Sequence, residues 1–183
     1  LGPMRQQQAL SSAQLDELEE RWAAAGLREA ADANILAERW EGLPVALQRS
    51  PEVVSAYATR AAALRWDDAA LKSLEQALDS RWDEGLAEQY GALPLLRLEH
   101  RREQAERWLK AHPASPALLL TLARISRQQG QWSVAEDYLH RALAQGAGGD
   151  AWEELGHGFS EAGDDARARH CYRNALRSAR GEA

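Results

Sequence analysis

The sequence predicts an all-α fold, a right-handed α-solenoid built from stacked helical hairpins. Ala and Leu dominate the composition and β-branched residues are few, so helix formers outnumber strand formers. A residue pattern recurs at a constant offset of 33 residues in the second half of the chain. No stretch alternates apolar and polar residues convincingly enough for a strand. In such a fold each hairpin buries its apolar face against its neighbours, so stability comes from stacking.

The 33-residue offset aligns two hairpins, predicted over 116–147 and 150–180. It pairs Leu119 with Trp152, Leu122 with Leu155, Ala123 with Gly156, Gly130 with Gly163, and Ala135, Leu139, Ala142 and Leu143 with Ala168, Tyr172, Ala175 and Leu176. Together with Phe159, this order of large, small and turn residues is the tetratricopeptide pattern. Small residues at Gly156 and Ala168 let two helices approach closely, and Gly163 is predicted to end the first helix.

Residues 50–80 fit the same template, and residues 81–115 form a less regular repeat, so tetratricopeptide-like repeats are predicted over 50–183. In the earlier repeat Ser50 is a candidate N-cap, and Trp66 with Asp67 replaces the usual glycine turn. In the irregular repeat the first helix is predicted to end near Gly91–Pro94, and the second before Pro113.

Residues 1–49 are predicted to form N-terminal helices that complete or cap the array. Two helices broken at Gly26 and a short helix after Gly42 are expected, and Ser11 with Gln14 resembles a capping box. The chain is therefore expected to hold nine or ten helices. Because it opens on Leu1 instead of an initiator Met, we expect it to be part of a longer protein.

Charge and composition exclude several classes of protein. The formal net charge of −6 argues against nucleic acid as a partner, which would need a basic face. The longest apolar run, residues 117–123, is too short to span a bilayer. The single cysteine excludes an intramolecular disulfide.

No catalytic constellation or metal site is predicted, so the chain is not expected to be an enzyme. His170 and Cys171 are adjacent on one helix and point about 100° apart, so they cannot readily share a ligand, and Cys171 is predicted to be structural. The other four histidines lack metal-ligand spacing: His100, His112, His140 and His157. Residues 146–149 follow no strand, so they are predicted to form a turn between repeats, with Asp150 capping the next helix.

The seven tryptophans fall into two sets. Four lie on apolar helical phases and are predicted to be core residues: Trp22, Trp40, Trp108 and Trp152. Three lie near corners between helices and are candidate surface anchors: Trp66, Trp82 and Trp132.

A candidate partner-binding surface follows from the repeat register, because the first helix of each tetratricopeptide repeat lines a concave groove. The register places there Leu120, Arg124, Arg127 and Gln128 of one repeat, Glu153, His157, Ser160 and Glu161 of the last, and Ser55, Thr59 and Ala62 of the early one. Two arginines facing acids on the next repeat predict a groove that holds a peptide or an acidic tail. The alternative is a face that is merely solvated.

Three stretches resemble the C-terminal tetratricopeptide region of the HemY family. They are "LPVALQRSPEVVSAYATRAAAL" (43–64), "RWDEGLAEQYGAL" (81–93) and "QAERWLKAHPASPALLLTLARISRQQGQWSVAEDYLHRAL" (104–143), of which "WLKAHPASPALLLTLAR" is the most specific. HemY is the proteobacterial inner-membrane protein linked to the late steps of haem biosynthesis. The resemblance implies two membrane-spanning helices upstream and a soluble helical domain, with the cytoplasmic side favoured over the periplasmic. The family offers no catalytic motif to transfer.

Two functional hypotheses remain. The first is a non-catalytic protein–protein interaction scaffold in an inner-membrane protein associated with haem biosynthesis, with haem-synthesis enzymes among its partners and no cofactor. The alternative is a haem- or porphyrin-binding protein that transfers or buffers tetrapyrrole. Its least implausible ligands are His157 and Cys171. The sequence leaves the oligomeric state open.

Overall fold

The computed structural model describes residues 11–182, and within them the regular secondary structure is helical. Eleven helices lie in this range: α1 (Ser12–Arg28), α2 (Ala33–Glu41), α3 (Val45–Gln48), α4 (Pro51–Ala63), α5 (Asp67–Ser80), α6 (Glu84–Ala92), α7 (Leu98–Ala111), α8 (Pro116–Gln128), α9 (Trp132–Ala144), α10 (Gly148–Glu161) and α11 (Asp165–Ala179). The chain divides into two compact units, the first running to Trp82 and the second beginning at Asp83. The sequence-based division at residues 49 and 50 stays a prediction.

In the first unit α4 packs against both α1 and α5. Its buried face carries small and β-branched side chains that let the two neighbours approach closely: Val53, Val54, Ala58 and Ala61. Ala24 and Leu27 of α1 and Leu74 of α5 are buried in the same unit.

In the second unit two hairpins, α8 with α9 and α10 with α11, share one core. Helix α10 also contacts α8 and α9, and α6 packs on α8. The predicted close approach at Gly156 is confirmed, because a Cβ atom there would lie 2.6 Å from Cε1 of Tyr172. Gly158 has the same role for Trp132, whose ring atoms would lie 2.0 Å from an added Cβ.

Three hairpin turns share one hydrogen-bonding pattern. The residue before the second helix donates its amide to a carbonyl five positions back: Trp66 to Ala61, Gln131 to Ser126 and Asp164 to Phe159, each at 2.8 Å. The preceding residue is left-handed in each turn, with φ of 74° at Gly130, 79° at Gly163 and 62° at Arg65. The turn predicted at Trp66–Asp67 is therefore confirmed, with an arginine in the glycine position.

The N-terminal helices differ from the prediction at Gly26, which lies inside α1 and does not break it. A lone glycine in a helix costs only about 1 kcal/mol, which tertiary packing offsets. The break comes at residues 29–32, where the Asp32 carboxylate accepts the Ile35 amide and starts α2. The predicted capping box of Ser11 and Gln14 is confirmed, as is the short helix after Gly42.

Two other predicted caps differ in the structure. Helix α10 begins at Gly148, so Asp150 lies in its first turn, where its charge favours the helix N-terminus without capping it. Ser50 occupies the N-cap position of α4, but its hydroxyl makes no capping hydrogen bond.

In the irregular repeat, Arg101 of α7 is fully buried and contacts the end of α6. The sequence did not predict this role. Its guanidinium donates to the backbone carbonyls of Tyr90 at 2.5 Å and Pro94 at 2.6 Å, just where α6 ends. It also lies 5.0 Å from the centre of the Tyr90 ring. The last carbonyls of a helix lack partners within it, and Arg101 adds charge-assisted hydrogen bonds to two carbonyls that also accept from the Leu93 and Leu96 amides.

Candidate functional site

The structure brings the predicted groove residues of α8 and α10 onto two adjacent helices. Gln128, Glu153, Ser160 and Glu161 are exposed, whereas Arg124, Arg127 and His157 are half-buried. Leu120 is buried in the core shared by the two hairpins, so it packs and does not face solvent. Ser55, Thr59 and Ala62 lie on α4 in the first unit.

Two arginines of α8 and two acids of α10 form a continuous ionic network. Arg124 Nε lies 2.9 Å from Glu154 Oε1, and Arg127 Nη2 lies 3.1 Å from Glu154 Oε2. Arg127 Nη1 lies 2.6 Å from Glu161 Oε1. Three of the four side chains are less than a quarter exposed, so their charge-assisted bonds are less screened than those of an ordinary surface pair.

Glu154, at the centre of this network, was missed by the sequence analysis. The repeat register placed Glu153 and Glu161 on the groove but left Glu154 out. The signal was its spacing of 30 residues from Arg124, close to one repeat length, since residues one repeat apart meet on neighbouring first helices.

The predicted site for an acidic tail is already occupied by acids of the chain itself. Both guanidiniums already bind carboxylates of the same chain, so an acidic ligand has to displace one of them. Glu161 is the carboxylate at which this is easiest, because its side chain is 62% exposed where it meets Arg127. Exposed ion pairs contribute only about 0–1 kcal/mol, so such an exchange costs little.

His157 joins the second helix of its own hairpin. Its Nδ1 lies 3.0 Å from the Tyr172 hydroxyl, and its Nε2 lies 3.4 Å from Glu153 Oε1. The His157 and Tyr172 rings meet edge to face, with centroids 5.6 Å apart. Tyr172 in turn covers Gly156. This geometry positions a packing aromatic, and both imidazole nitrogens face a group of the chain.

Cys171, predicted to be structural, is buried, with 3% of its surface exposed. Burial raises the pKa of its thiol, and the nearby Glu136 carboxylate raises it further. The neighbouring His170 turns away, with its Nε2 3.1 Å from Asn174 Nδ2 and its ring against Trp152. A thiol with a raised pKa is a poor nucleophile and a poor metal ligand at neutral pH.

Two tryptophans differ from their predicted roles. Trp22 was expected in the core but is 69% exposed, because it lies on the face of α1 opposite to Ala24 and Leu27. Trp132 was a candidate surface anchor but packs edge to face on Phe159, with centroids 5.4 Å apart.

Metal-binding clusters and membrane-spanning helices are absent from residues 11–182. In this part of the chain no three His, Cys, Asp or Glu side chains are grouped as a metal site requires. None of its helices has the length and apolarity needed to cross a bilayer.

Comparison with known proteins identifies the fold. No family profile and no curated protein sequence matches the chain. Among solved structures it is similar to a crystal structure of MamA, with a TM-score of 0.56 and 10% identity over 94% of this chain and 97% of that one. A structure of MamA AMB-1 gives a TM-score of 0.55 and 16% identity over 90% and 97%. This likeness confirms the predicted fold class, an all-α solenoid of tetratricopeptide-like hairpins.

Proposed function

We propose that this chain is a non-catalytic protein–protein interaction scaffold whose partner-binding surface is formed by α8 and α10. The observation that carries the proposal is the network of Arg124, Arg127, Glu154 and Glu161. It fixes charged groups of two repeats relative to one another before any partner arrives. A preorganised surface loses less conformational entropy on binding, which favours recognition of an extended peptide.

Exposed polar side chains flank the network and supply further contacts. Gln128 offers both an amide donor and an acceptor, Ser160 a hydroxyl, and Glu153 a carboxylate. A peptide crossing from α8 to α10 would therefore meet donors and acceptors of both helices. Its carboxylate would take the place of Glu161 on Arg127.

The chemistry of the reactive side chains supports a non-catalytic role. His157 holds Tyr172, and Cys171 is a buried thiol with a raised pKa. Neither pairs with the other as a nucleophile and base would. Haem ligation through either residue has no observation in its favour, so we do not propose it as the function.

The partner class and location come from the resemblance to the HemY family. On that basis the partners are enzymes of haem biosynthesis, and the full-length protein is held at the bacterial inner membrane by segments upstream. The domain described here then lies on the cytoplasmic side. These statements rest on the quoted stretches 43–64, 81–93 and 104–143.

An affinity capture from solubilised membranes tests the proposal. The purified chain is immobilised, and detergent-solubilised proteobacterial membranes are passed over it. We expect haem-synthesis enzymes to be retained by the wild type and lost with a Gln128→Ala, Ser160→Ala double variant, whose substitutions are exposed and leave the core intact.

Glu103→Ala is the matched control, because Glu103 is an exposed residue of α7 outside the proposed surface. It should retain the same enzymes as the wild type. Capture of no haem-synthesis enzyme would count against the partner class. Equal capture by the double variant would count against the α8–α10 surface.

A further inference from the structure

We propose that the chain associates with a second copy of itself, with α11 of one copy docking against α1 of the other. This contact involves no residue of α8 or α10 and so goes beyond the proposed function. The chain presents two exposed helix faces of opposite charge, and each has an apolar centre.

Helix α1 carries an apolar stripe on the side that points away from its own core. Leu15 is 47% exposed and Trp22 69% exposed, and Leu18 lies between them. Positions i, i+3 and i+7 share one face of a helix. Ala24 and Leu27, which are buried, lie on the opposite face. An exposed tryptophan in such a stripe is a typical anchor of a protein interface.

A groove of about 530 Å³ opens beside Trp22, between α1 and α2. Its apolar lining comes from Trp22, Leu27, Ile35 and Leu43, and Glu38 and Arg39 also border it. Gly26 forms part of the groove wall, and a Cβ atom added there would meet nothing within 4 Å. The groove therefore has room for a branched aliphatic side chain.

The first half of α1 is strongly acidic. Glu19 lies beside the apolar stripe and Asp16 further along the same flank, while Glu17 and Glu20 lie toward the opposite face. Arg21 is the one cation among residues 12–22. Arg21 is already bound to Glu17 at 2.9 Å. The stripe thus lies in a negative field, which favours a basic partner.

Helix α11 presents the complementary face. Leu176 is 59% exposed, and Arg169, Arg173 and Arg180 are exposed at spacings of −7, −3 and +4 from it. These spacings place all four residues on one side of the helix. The buried Ala168 and Cys171 lie on another side, against the core. Leu176 is therefore an exposed apolar side chain that shares its helix face with three arginines.

A second copy is the occupant that fits both faces at once. The chain has a net charge of −6, yet α11 carries four arginines and one aspartate, and residues 12–22 of α1 carry four carboxylates and one arginine. Docking places Leu176 in the groove beside Trp22 and the three arginines against the carboxylates of α1. The contact joins different surfaces of the two copies and is heterologous, so each copy keeps one α1 face and one α11 face for further copies.

The contact is expected to be weak and salt-sensitive. Two helix faces bury less than the roughly 800 Å² per partner of a standard interface. Sedimentation velocity on the full chain tests the proposal. We expect the average mass to rise above that of the monomer between about 5 and 500 µM protein, which corresponds to a micromolar Kd. The rise should be reduced in about 0.5 M NaCl, because salt screens exposed charges.

Substitutions of exposed residues show what the α1 face and the α11 face each contribute to association. Trp22→Ala should weaken association by at least about tenfold, as expected for an anchor residue. An α1 variant (Asp16→Lys, Glu19→Lys) and an α11 variant (Arg173→Glu, Arg180→Glu) should each remain monomeric, since each leaves two like-charged faces. A chain that carries all four substitutions should associate again, because opposite charges then face each other.

Glu103→Ala, on exposed α7, is the control and should associate like the wild type. Circular dichroism of every variant confirms that the helices remain. A wild type that stays monomeric at about 500 µM in low salt, or an α11 variant that associates normally, would overturn the proposal. Binding of another protein to the α8–α10 surface would be unaffected by either result, so the two proposals fail independently.

Discussion

At the scale of single residues, burial separates the side chains that pack from those that can bind. His157, Cys171 and Leu120 are all candidates in sequence, but the structure assigns each of them to packing. Arg101 shows the reverse, because an arginine in a helix is expected at the surface and here it is fully buried. Its role depends on the carbonyls of α6, which are backbone groups and leave no mark in the sequence.

Replacing Arg101 should destabilise the protein strongly. Arg101→Ala removes the charged donors to the Tyr90 and Pro94 carbonyls and leaves a cavity where a fully buried side chain packed, so we expect a loss of about 3 kcal/mol in the free energy of unfolding. Arg101→Lys keeps the charge but not the forked geometry and should fall in between. Urea denaturation measures both. A loss for Arg101→Ala no larger than that for the exposed Glu103→Ala would contradict this account.

Cys171 should make stability depend on pH in the alkaline range. The pKa of its thiol is raised in the folded chain, so the folded state holds a proton that the unfolded state has released. Stability is therefore unaffected below the unfolded pKa of about 8.5 and falls as the pH rises above it. Cys171→Ala should lose less stability than the wild type over the same range. Parallel curves of unfolding free energy against pH would show that the thiol is not shielded.

The haem-carrier alternative has a direct optical test. Both ring nitrogens of His157 face groups of the chain and Cys171 is buried, so we expect no saturable Soret change on titration with about micromolar haem. His157→Ala and Cys171→Ala serve as controls. A saturable Soret band that either substitution abolishes would restore haem binding as a function.

At the scale of the elements, the turns were the most predictable part of the fold. Gly130 and Gly163 mark left-handed positions that glycine adopts without strain, and the 33-residue offset located both. The end of α1 was less predictable. Gly26 is a residue type that often ends a helix, whereas the actual start of α2 is marked by a single capping residue, Asp32. Trp22 was misplaced for a related reason: α1 has apolar side chains on two faces, and periodicity alone cannot tell which one is buried.

The arginine turn offers a test of the shared hairpin motif. Arg65 has a φ of 62°, where a side chain is strained and glycine is not. Arg65→Gly should therefore stabilise the chain by about 0.5 kcal/mol, since relief of strain exceeds the added entropy of the unfolded chain. Gly130→Ala, which introduces the opposite change in the equivalent turn, should destabilise it by about 1 kcal/mol. Thermal unfolding measures both. A destabilised Arg65→Gly variant would mean that the arginine side chain contributes more than its strain costs.

At the scale of the whole molecule, the repeat pattern was sufficient to predict the fold class but not the state of the candidate surface. The register placed the predicted groove residues on α8 and α10, where Gln128, Glu153, Ser160 and Glu161 are exposed and Arg124 and Arg127 belong to the network. It did not predict that Glu154 would neutralise Arg124 and Arg127, because that contact depends on how two first helices stack. Charge pairing between repeats depends on how two repeats stack, so the sequence of one repeat does not predict it.

The central claim is that a protein partner binds the face formed by α8 and α10, and site-specific photocrosslinking tests it most directly. A photoreactive amino acid is placed at Gln128, which is exposed on that face, or at Glu103, which is exposed on α7. After irradiation of living proteobacterial cells that express the protein, mass spectrometry identifies the adducts. We predict adducts with haem-synthesis enzymes from position 128 and not from position 103. The same adducts at both positions, or none at position 128, would contradict the account.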